Sequence, residues 1–352
     1  MAYQIEEPDQ LDYTKTGVKG LVTYDSFGCN VFAEHPPTPD RLDPDVVYRL
    51  ATHSDARLQA PDGKEIRFWG FFNPDSSNPA ERTAPYPSPM IRVRKGQVVH
   101  IDLFDTEHGA HTIHFHAIEP TTMNDGVGHT SFEVNDRYVY QWQAAEEGTY
   151  FYHCHRNTVH HMEMGMFGPL IVDPPEGPGR LYSGGPRYHV ERTWFVDDVD
   201  LRWHEQNFRN HDQGMCGEDV GFNRFEPKYF LVNGVFNDKT MTDPRVMSTS
   251  RLGQRVLIRI VNASYSVLRI TLGINARLVG ADGRMLGRHP WNRTVNIPAN
   301  SPQILTTAGR FDFLITPTRR GNYPVKMEFI DWITGLVQDD GRGVVDTQIK
   351  VR

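Results

Sequence analysis

Hydrophobic and polar residues alternate in short runs along most of this chain, and turns rich in Gly, Pro and Asp separate the runs. In PMIRVRKGQVVHIDLFD, apolar residues take alternate positions on both sides of a turn at Lys95 and Gly96. These apolar residues are Ile91, Val93, Val99, Ile101 and Leu103. Because side chains of a strand point alternately to its two faces, the pattern predicts half-buried strands. Such strands at regular spacing from about Val46 onward, without a long helical period, predict an all-β sandwich or barrel.

The chain also repeats itself. RKGQVVHIDL (94–103) matches RLGQRVLIRI (251–260) in its turn, its glycine and its alternation, and EGTYFYHCH (147–155) resembles RGNYPVKME (320–328). Self-similarity over such a distance indicates duplicated structural units. The sequence therefore predicts two copies of one β domain.

The domain organisation follows from this repeat and from the 352-residue length. Residues 1–42 are rich in Pro and Asp, and we expect them to form an irregular N-terminal arm. The first copy is expected over residues 43–176 and the second over 187–352. The Pro- and Gly-rich stretch 174–187 is the predicted joint.

Composition excludes several classes of function. The formal net charge is -7 without a strongly basic block, so nucleic acid is not an expected partner. No apolar run approaches the roughly 20 residues of a membrane span. The N-terminal residues have neither a basic start nor an apolar stretch, so no export signal is visible. The chain has three cysteines, too few for a disulfide framework, and Cys29 and Cys216 are expected to be buried thiols.

Histidines are concentrated in one part of the chain. Ten of the 16 lie between His100 and His161, chiefly in HTIHFH (111–116) and in YHCHRNTVHHMEMGM (152–166). The second copy of the repeat has other residues at the matching positions. They are Leu268, Thr271 and Gly273 for the first segment, and Lys326, Met327 and Glu328 for His-Cys-His. Since the second copy lacks the histidines, the fold does not require them, and we expect them to have a chemical rather than a structural role.

Strand alternation sorts these residues into two groups. If the two histidine segments form neighbouring strands, His111 and Cys154 share one face. The other face carries His114, His116, His153 and His155. Two ligand clusters would then lie back to back, separated only by backbone and one side-chain length.

The first group can be completed from the loop after Cys154, which carries His161 and, after four intervening residues, Met166. One thiolate, two imidazoles and a weak thioether are the ligands of a blue-copper electron-transfer site. A second group made only of imidazoles suits copper that meets oxygen or another small oxidant. Structural zinc is a poor alternative, because zinc favours closed sets such as four cysteines or two cysteines with two histidines.

These motifs resemble the copper-binding domain of multicopper oxidases, the group of laccase, ceruloplasmin and bilirubin oxidase. The resemblance rests on HTIHFH, HCH and HHMEMGMFGPLIV. The second copy, with YFLVNG, IRIVNAS, LVGADGRML and GRFDFLI, is similar to the copper-free middle domain of three-domain members. Over about residues 46–351 the resemblance implies two cupredoxin-like Greek-key domains. It also implies a type 1 copper, and a trinuclear type 2/type 3 cluster where oxygen becomes water.

The resemblance also implies roles for individual residues. Those matching type 1 copper ligands are His111, Cys154, His161 and Met166. Those matching type 2 and type 3 ligands are His114, His116, His153 and His155. The family places three residues between His-Cys-His and the next type 1 histidine, whereas His160 here follows four and His161 five. The spacing to the methionine favours His161, and the pair His160 and Met164 remains the rival. Copper is the only cofactor implied.

Half of the trinuclear cluster is missing from the sequence. The family uses eight histidines from two domains, and this chain supplies four. The other histidines, such as His189, His204, His211 and His289, form no His-x-His pair. The cluster is therefore expected to be incomplete, replaced by a smaller site, or completed by a partner. That partner would be another copy in a homotrimer or a second cupredoxin chain that supplies the histidines.

The leading functional hypothesis is a copper oxidoreductase. A reducing substrate, either a small molecule or a metal ion, would give electrons to type 1 copper. Cys154, His153 and His155 would pass them to the histidine-bound copper, with oxygen as acceptor. Two alternatives stay open. One is a blue-copper electron carrier or copper-binding protein without oxidase activity.

The other alternative is a copper nitrite reductase, usually a trimer. His116 and His153 fit two of its type 2 ligands, but its third histidine has no matching motif here, and His114 occupies the position of its catalytic aspartate.

The family is expected in the periplasm or outside the cell, although no export signal is visible. We expect Trp69, Trp142 and Trp291 in the core. Residues Asp197, Asp198 and Asp200 are expected on a solvated loop.

Overall fold

The structure is a computed structural model that describes residues 22–24, 30–32, 43–104, 106, 110–127, 133–134, 137–205 and 222–352. Strands dominate these residues. In the first half they are β1 (Val22–Tyr24), β2 (Asn30–Phe32), β3 (Val46–Gln59), β4 (Glu65–Phe72), β5 (Ile91–Arg94), β6 (Val98–Phe104), β7 (His114–His116), β8 (Arg137–Gln143), β9 (Gly148–His153) and β10 (Phe167–Asp173).

The second half contains thirteen further strands within the described residues. They are β11 (Val190–Val199), β12 (Tyr229–Val232), β13 (Val235–Phe236), β14 (Ser248–Ser250), β15 (Val256–Asn262), β16 (Val267–Leu272), β17 (Ala276–Ala281), β18 (Arg284–Met285), β19 (Val295–Ile297), β20 (Gln303–Leu305), β21 (Arg310–Ile315), β22 (Gly321–Ile330) and β23 (Val344–Val351). Strand content confirms the expected all-β class.

Helices in the described residues are short. The α-helices there are α1 (Thr158–Glu163) and α2 (Leu201–His204), and 3-10 turns cover Pro79–Glu81, Thr122–Asn124 and Asp339–Gly341. Within the described part of the chain, no helix is long and apolar enough to cross a membrane.

The strands build two sandwiches. The first sandwich consists of the sheets β4-β3-β6-β8 and β5-β10-β9-β7. The second consists of the sheet β13-β12-β11-β15-β21-β17-β18, with β19 paired to β17, and the sheet β14-β23-β22-β16-β20. β1 and β2 pair separately. Each sandwich encloses its own apolar cluster, around Ile101 and Tyr140 in the first and around Trp194 and Ile258 in the second.

The repeat seen in the sequence is also a repeat of topology. In the first sandwich β3 runs parallel to β6, and β5 runs parallel to β10. The second sandwich repeats both pairings with β11 and β15, and with β14 and β23. The register agrees as well, since His114 lies opposite His153 and Thr271 lies opposite Lys326. The second sandwich therefore keeps the strand pair that carries the histidines but not the histidines themselves.

Aromatic residues join the two sandwiches. Phe167 of β10 stacks on Phe195 of β11 with ring centroids 5.1 Å apart, and Phe151 packs in the same cluster. Burial of such rings contributes roughly 1.5–3 kcal/mol each. The domain limits 43–176 and 187–352 remain a prediction, and most of the expected arm over 1–42 lies outside the described residues.

The tryptophan prediction is only partly correct. Trp69 and Trp142 are buried in the first core, as expected. Trp291, in contrast, is 80% exposed and stacks on His289, with ring centroids 5.2 Å apart. The prediction for Trp291 is wrong because this residue lies in a surface turn after β18, where its side chain faces solvent.

Candidate metal centre

The register of β7 against β9 determines where the histidines point. His114 pairs with His153, Phe115 with Tyr152, and His116 with Phe151. Phe115 and Tyr152 are fully buried in the first core. Because neighbouring residues of a strand face opposite sides, His114, His116 and His153 lie on the other face of the sheet. The expected pairing of the two histidine segments is thus present.

A buried thiol with two imidazoles lies just beyond β9. The Sγ atom of Cys154 is 3.2 Å from Nδ1 of His161 and 3.7 Å from Nδ1 of His111. All three residues are buried, and their candidate ligand atoms lie within 4.8 Å of one another. The structure thereby brings together three of the four residues expected around type 1 copper.

These distances fit a shared first-row metal ion. Bonds of about 2.0 Å to nitrogen and about 2.3 Å to sulfur place two ligands roughly 3.2–3.7 Å apart at coordination angles of about 95–120°. The donor set of one thiolate and two imidazoles suits copper of the electron-transfer kind. Both the geometry and the chemistry of this group therefore suit copper.

Met166 is tied to the same group through its backbone. Cys154 N donates to Met166 O, and Met166 N donates to His161 O, each over 3.0 Å. Met166 is fully buried in the first core. The turn before it needs Gly165, whose φ is +103° and whose added Cβ would approach Trp69 O to 2.9 Å. This turn brings the methionine back beside the cysteine.

His160 and Met164, the alternative pair of candidate ligands, are placed differently. His160 stacks on Phe222, with ring centroids 5.6 Å apart and planes 12° apart, and its edge meets Trp69. Met164 is buried, and its backbone carbonyl accepts a hydrogen bond from Trp69 N. His161, by contrast, lies beside the thiol. The geometry thus favours His161 and Met166 over His160 and Met164.

The opposite face holds a second group. Candidate ligand atoms of His114, His116 and His153 lie within 4.8 Å of one another. Nδ1 of His114 is 2.7 Å from the backbone oxygen of Asp125, and Nδ1 of His153 is 2.9 Å from that of Cys154. These carbonyls can only accept, so they hold the proton on Nδ1 and leave Nε2 of both rings available as a ligand.

His116 and His155 complete this face. Nδ1 of His116 is buried and has no hydrogen-bond partner among the described residues. The ring of His155 lies 5.3 Å from that of His114 and stacks on His153 at 5.7 Å. Its backbone N donates to Thr112 Oγ1 over 2.8 Å. Three imidazoles therefore converge closely, and the fourth lies next to them.

Burial determines the protonation states of these groups. It raises the pKa of Cys154 to about 11, opposed by hydrogen bonds from the backbone of Thr112 and Arg156. It lowers the pKa of His116 to about 3, with a further contribution from the charge of Arg310. The pKa of His153 is also well below its ordinary value because of burial. In the metal-free protein at neutral pH, the thiol is protonated and these imidazoles are neutral.

The prediction that three aspartates lie on a solvated loop is wrong. Asp197, Asp198 and Asp200 are buried rather than solvated. They lie at the end of β11 and at the start of α2, and Glu163 of α1 is buried near them. No local pattern reveals this, because the burial comes from packing between distant segments. The expectation that Cys29 and Cys216 are buried thiols concerns residues outside the described part of the chain.

Comparison with known proteins finds similarity in the part of the chain that carries the histidine motifs. Residues 83–177 match the family model described as multicopper oxidase. An L-ascorbate oxidase from Cucumis sativus is 28% identical over 155 residues, which cover 42% of this chain and 24% of that protein. Copper resistance protein A from Pseudomonas syringae pv. tomato is 33% identical over 93 residues, covering 26% and 15%. The chain thus spans at most about a quarter of the length of these two relatives.

Solved structures extend the likeness to both sandwiches. The blue copper oxidase from Nitrosomonas europaea has a TM-score of 0.65 at 21% identity, over 87% of this chain and 86% of that one. The copper nitrite reductase from the same organism has a TM-score of 0.59 at 17% identity, over 87% and 93%. At these identities the likeness shows the fold alone, and that fold is the expected pair of cupredoxin-like domains.

Proposed function

We propose that this chain, which is similar to multicopper oxidases over residues 83–177, is a copper-dependent oxidoreductase that uses oxygen as the electron acceptor. In this proposal electrons enter at a type 1 centre held by His111, Cys154, His161 and Met166. They leave at a second copper site on the histidine face. A small molecule or a metal ion is the proposed reductant.

One observation carries the proposal: the two ligand groups lie on opposite sides of a single strand end. Cys154 belongs to the buried thiol group, and its neighbour His153 belongs to the imidazole group. Copper bound at these groups would supply one-electron redox chemistry. The peptide bonds of Cys154 to His153 and His155 supply a continuous covalent path between the groups. An electron carrier with one site needs no such second group.

The protein's own contribution is orientation and exclusion of water. The carbonyls of Asp125 and Cys154 fix the rings of His114 and His153. Trp69 packs edge-on against His161, with ring centroids 5.3 Å apart, and the thiol group is buried on every side. Such outer contacts hold ligands in one geometry and tune the metal.

The histidine face of one chain supports a small site. Three imidazoles within 4.8 Å suit a single ion. A trinuclear cluster would need further histidines from a partner chain, either another copy of this chain or a second cupredoxin. The matching strand pair of the second sandwich carries Thr271 and Lys326 instead of histidines, so another copy would have to supply them from elsewhere.

A nitrite-reductase-like activity is the second candidate. The same three-imidazole group favours it, as does Asp125, whose Oδ1 lies 3.2 Å from Nδ1 of His114. A mononuclear type 2 copper with an acid beside one ligand would suit reduction of a small oxyanion. Oxygen consumption and nitrite consumption distinguish the two activities directly.

The testing experiment is copper stoichiometry on copper-saturated protein, with EPR to sort the copper types. Blue colour with additional type 2 or EPR-silent copper, together with oxygen uptake, is the expected result. The Cys154→Ser variant should lose both the colour and the turnover. One type 1 copper without oxygen or nitrite uptake would establish an electron carrier and overturn the proposal. Blue colour retained in Cys154→Ser would overturn the ligand assignment.

A further inference from the structure

Helix α1, which carries His161, has little stability of its own. It has only six residues, and its N-cap Asn157 makes no side-chain capping bond. Helices shorter than about 12 residues are marginal in isolation. The position of His161 against Cys154 must therefore depend on what packs around the helix.

The first outside support is Tyr265 of the second sandwich. Its hydroxyl donates to the backbone oxygen of Val159 in α1 over 2.6 Å. Tyr265 is itself held, since its N donates to Oδ1 of the buried Asp198 over 3.0 Å. Ser266 Oγ donates to the other oxygen of Asp198 over 2.5 Å. The backbone of the tyrosine that contacts α1 is thus anchored to a buried carboxylate.

The second support acts at the other end of the helix. Asp200 N donates to Oε1 of Glu163 over 2.7 Å, and Nε2 of His204 lies 3.3 Å from the same oxygen. Nδ1 of His204 is bound to the backbone oxygen of Arg67 in β4, at 2.6 Å. Helix α2, with its N-cap Asp200 and its last residue His204, therefore links the end of α1 to the first sandwich.

These two supports bracket the metal ligand. Val159 lies two residues before His161, and Glu163 lies two residues after it. A shift of α1 along either contact would change the distance between His161 Nδ1 and Cys154 Sγ, now 3.2 Å. The properties of a copper–thiolate centre depend on this geometry and on the outer contacts that maintain it.

We propose that the second sandwich, which has no copper motifs of its own, positions the type 1 ligand His161 by clamping α1 from both ends. Tyr265 is the positioning residue at one end, and the contact of Asp200 and His204 with Glu163 acts at the other. The inference rests on the proposed type 1 centre. It gives the copper-free half of the chain a role in that centre.

The test compares Tyr265→Phe with Tyr323→Phe. Tyr323 is a matched control, because its hydroxyl also donates to a backbone oxygen, that of Arg319 over 2.8 Å, at an exposed place in the second sandwich. Each variant is loaded with Cu(II) and measured by visible absorption, by EPR and by competition with a chelator. Thermal melting of the metal-free proteins checks that both are folded.

Tyr265→Phe should shift the thiolate-to-copper band and the EPR hyperfine splitting, and weaken copper binding about two- to tenfold. That range corresponds to the loss of one hydrogen bond of about 0.5–1.5 kcal/mol. Tyr323→Phe should match the wild type. Glu163→Ala tests the other end of α1 and replaces Tyr265→Phe if that variant yields no folded protein.

Different results would overturn the proposed type 1 centre and the proposed clamp on α1. A wild-type protein that binds copper without blue colour would overturn the proposed type 1 centre itself. A blue wild type whose folded Tyr265→Phe and Glu163→Ala variants keep the wild-type spectrum and affinity would overturn the clamp and leave the proposed function intact.

Discussion

Nδ1 of His161 lies 3.2 Å from Sγ of Cys154, although the next residue back along the chain, His160, stacks on Phe222. Both imidazoles are fully buried, so burial does not distinguish them. Their placement does, because successive residues of α1 project in different directions. Of these two histidines, His161 is the one whose ring nitrogen lies beside the thiol.

Replacement of each histidine tests this difference. His161→Ala should abolish the blue absorption of copper-loaded protein, since it removes a nitrogen ligand next to the thiolate. His160→Ala should keep the band and lose mainly stability, because it removes a buried ring that stacks on Phe222 and makes an edge-to-face contact with Trp69. Visible absorption and thermal melting of the two variants provide the measurement. The reverse pattern would establish His160 as the ligand.

Copper uptake by the thiol site should depend strongly on pH. Burial raises the pKa of Cys154 to about 11. Below that pH the folded metal-free protein keeps the proton, and copper must displace it to bind the thiolate. The apparent affinity should therefore rise about tenfold per pH unit between about pH 7 and 9. Chelator competition followed at the blue band measures this slope.

The histidine face provides the internal comparison for that experiment. The pKa of His116 is about 3 and that of His153 is also depressed, so neither imidazole has a proton to lose between pH 7 and 9. In Cys154→Ser, copper binding should accordingly vary little over this range. A flat affinity at the blue site would contradict the protonated thiol.

The contact between the two sandwiches should depend on Arg259. This buried guanidinium binds Glu191 over 2.6 Å and Thr149 Oγ1 over 2.8 Å, and lies 3.6 Å from Asp312. Arg259→Met would remove the guanidinium that interacts most strongly with the buried Asp312. Removal of one partner from a buried ion pair costs about 3–5 kcal/mol of unfolding free energy.

Denaturant unfolding measures that cost. The control is Arg269→Met, which breaks a 2.7 Å pair with Glu328 on a partly exposed face. Exposed pairs contribute about 1 kcal/mol or less. Equal losses in both variants would mean that the Arg259 network does not hold the sandwiches together.

Acid should destabilise the first sandwich through His53. Its ring is buried beside Phe68, neither ring nitrogen has a hydrogen-bond partner among the described residues, and burial lowers its pKa to about 4. The unfolded chain titrates near the ordinary value of 6.5. Between these values the unfolded state binds more protons, so stability is present above pH 6.5 and is lost as pH falls toward 4.

The size of this loss is about 3 kcal/mol at most. His53→Leu should flatten the fall in urea midpoint between pH 7 and 4.5, whereas His289→Leu, at an exposed turn, should leave it unchanged. The same acid sensitivity in His53→Leu as in the wild type would exclude His53 as its source.

The sequence alone determined the strand pattern and the side on which each histidine of a strand lies. Alternation has a period of two residues, so the separation of Cys154 from His153, and of His111 from His114, follows from local geometry. The repeat likewise determined the doubled topology. These properties depend on neighbours along the chain, which the sequence displays directly.

The tertiary structure decided which loop residues meet. It placed the ring of His161, which the spacing to Met166 already favoured, beside the thiol, buried Asp197 and Asp198, and brought Tyr265 against α1. Each of these results depends on packing between segments far apart in sequence, including contact between the two sandwiches. A helix as short as α1 takes its position from that packing, and no local pattern encodes it.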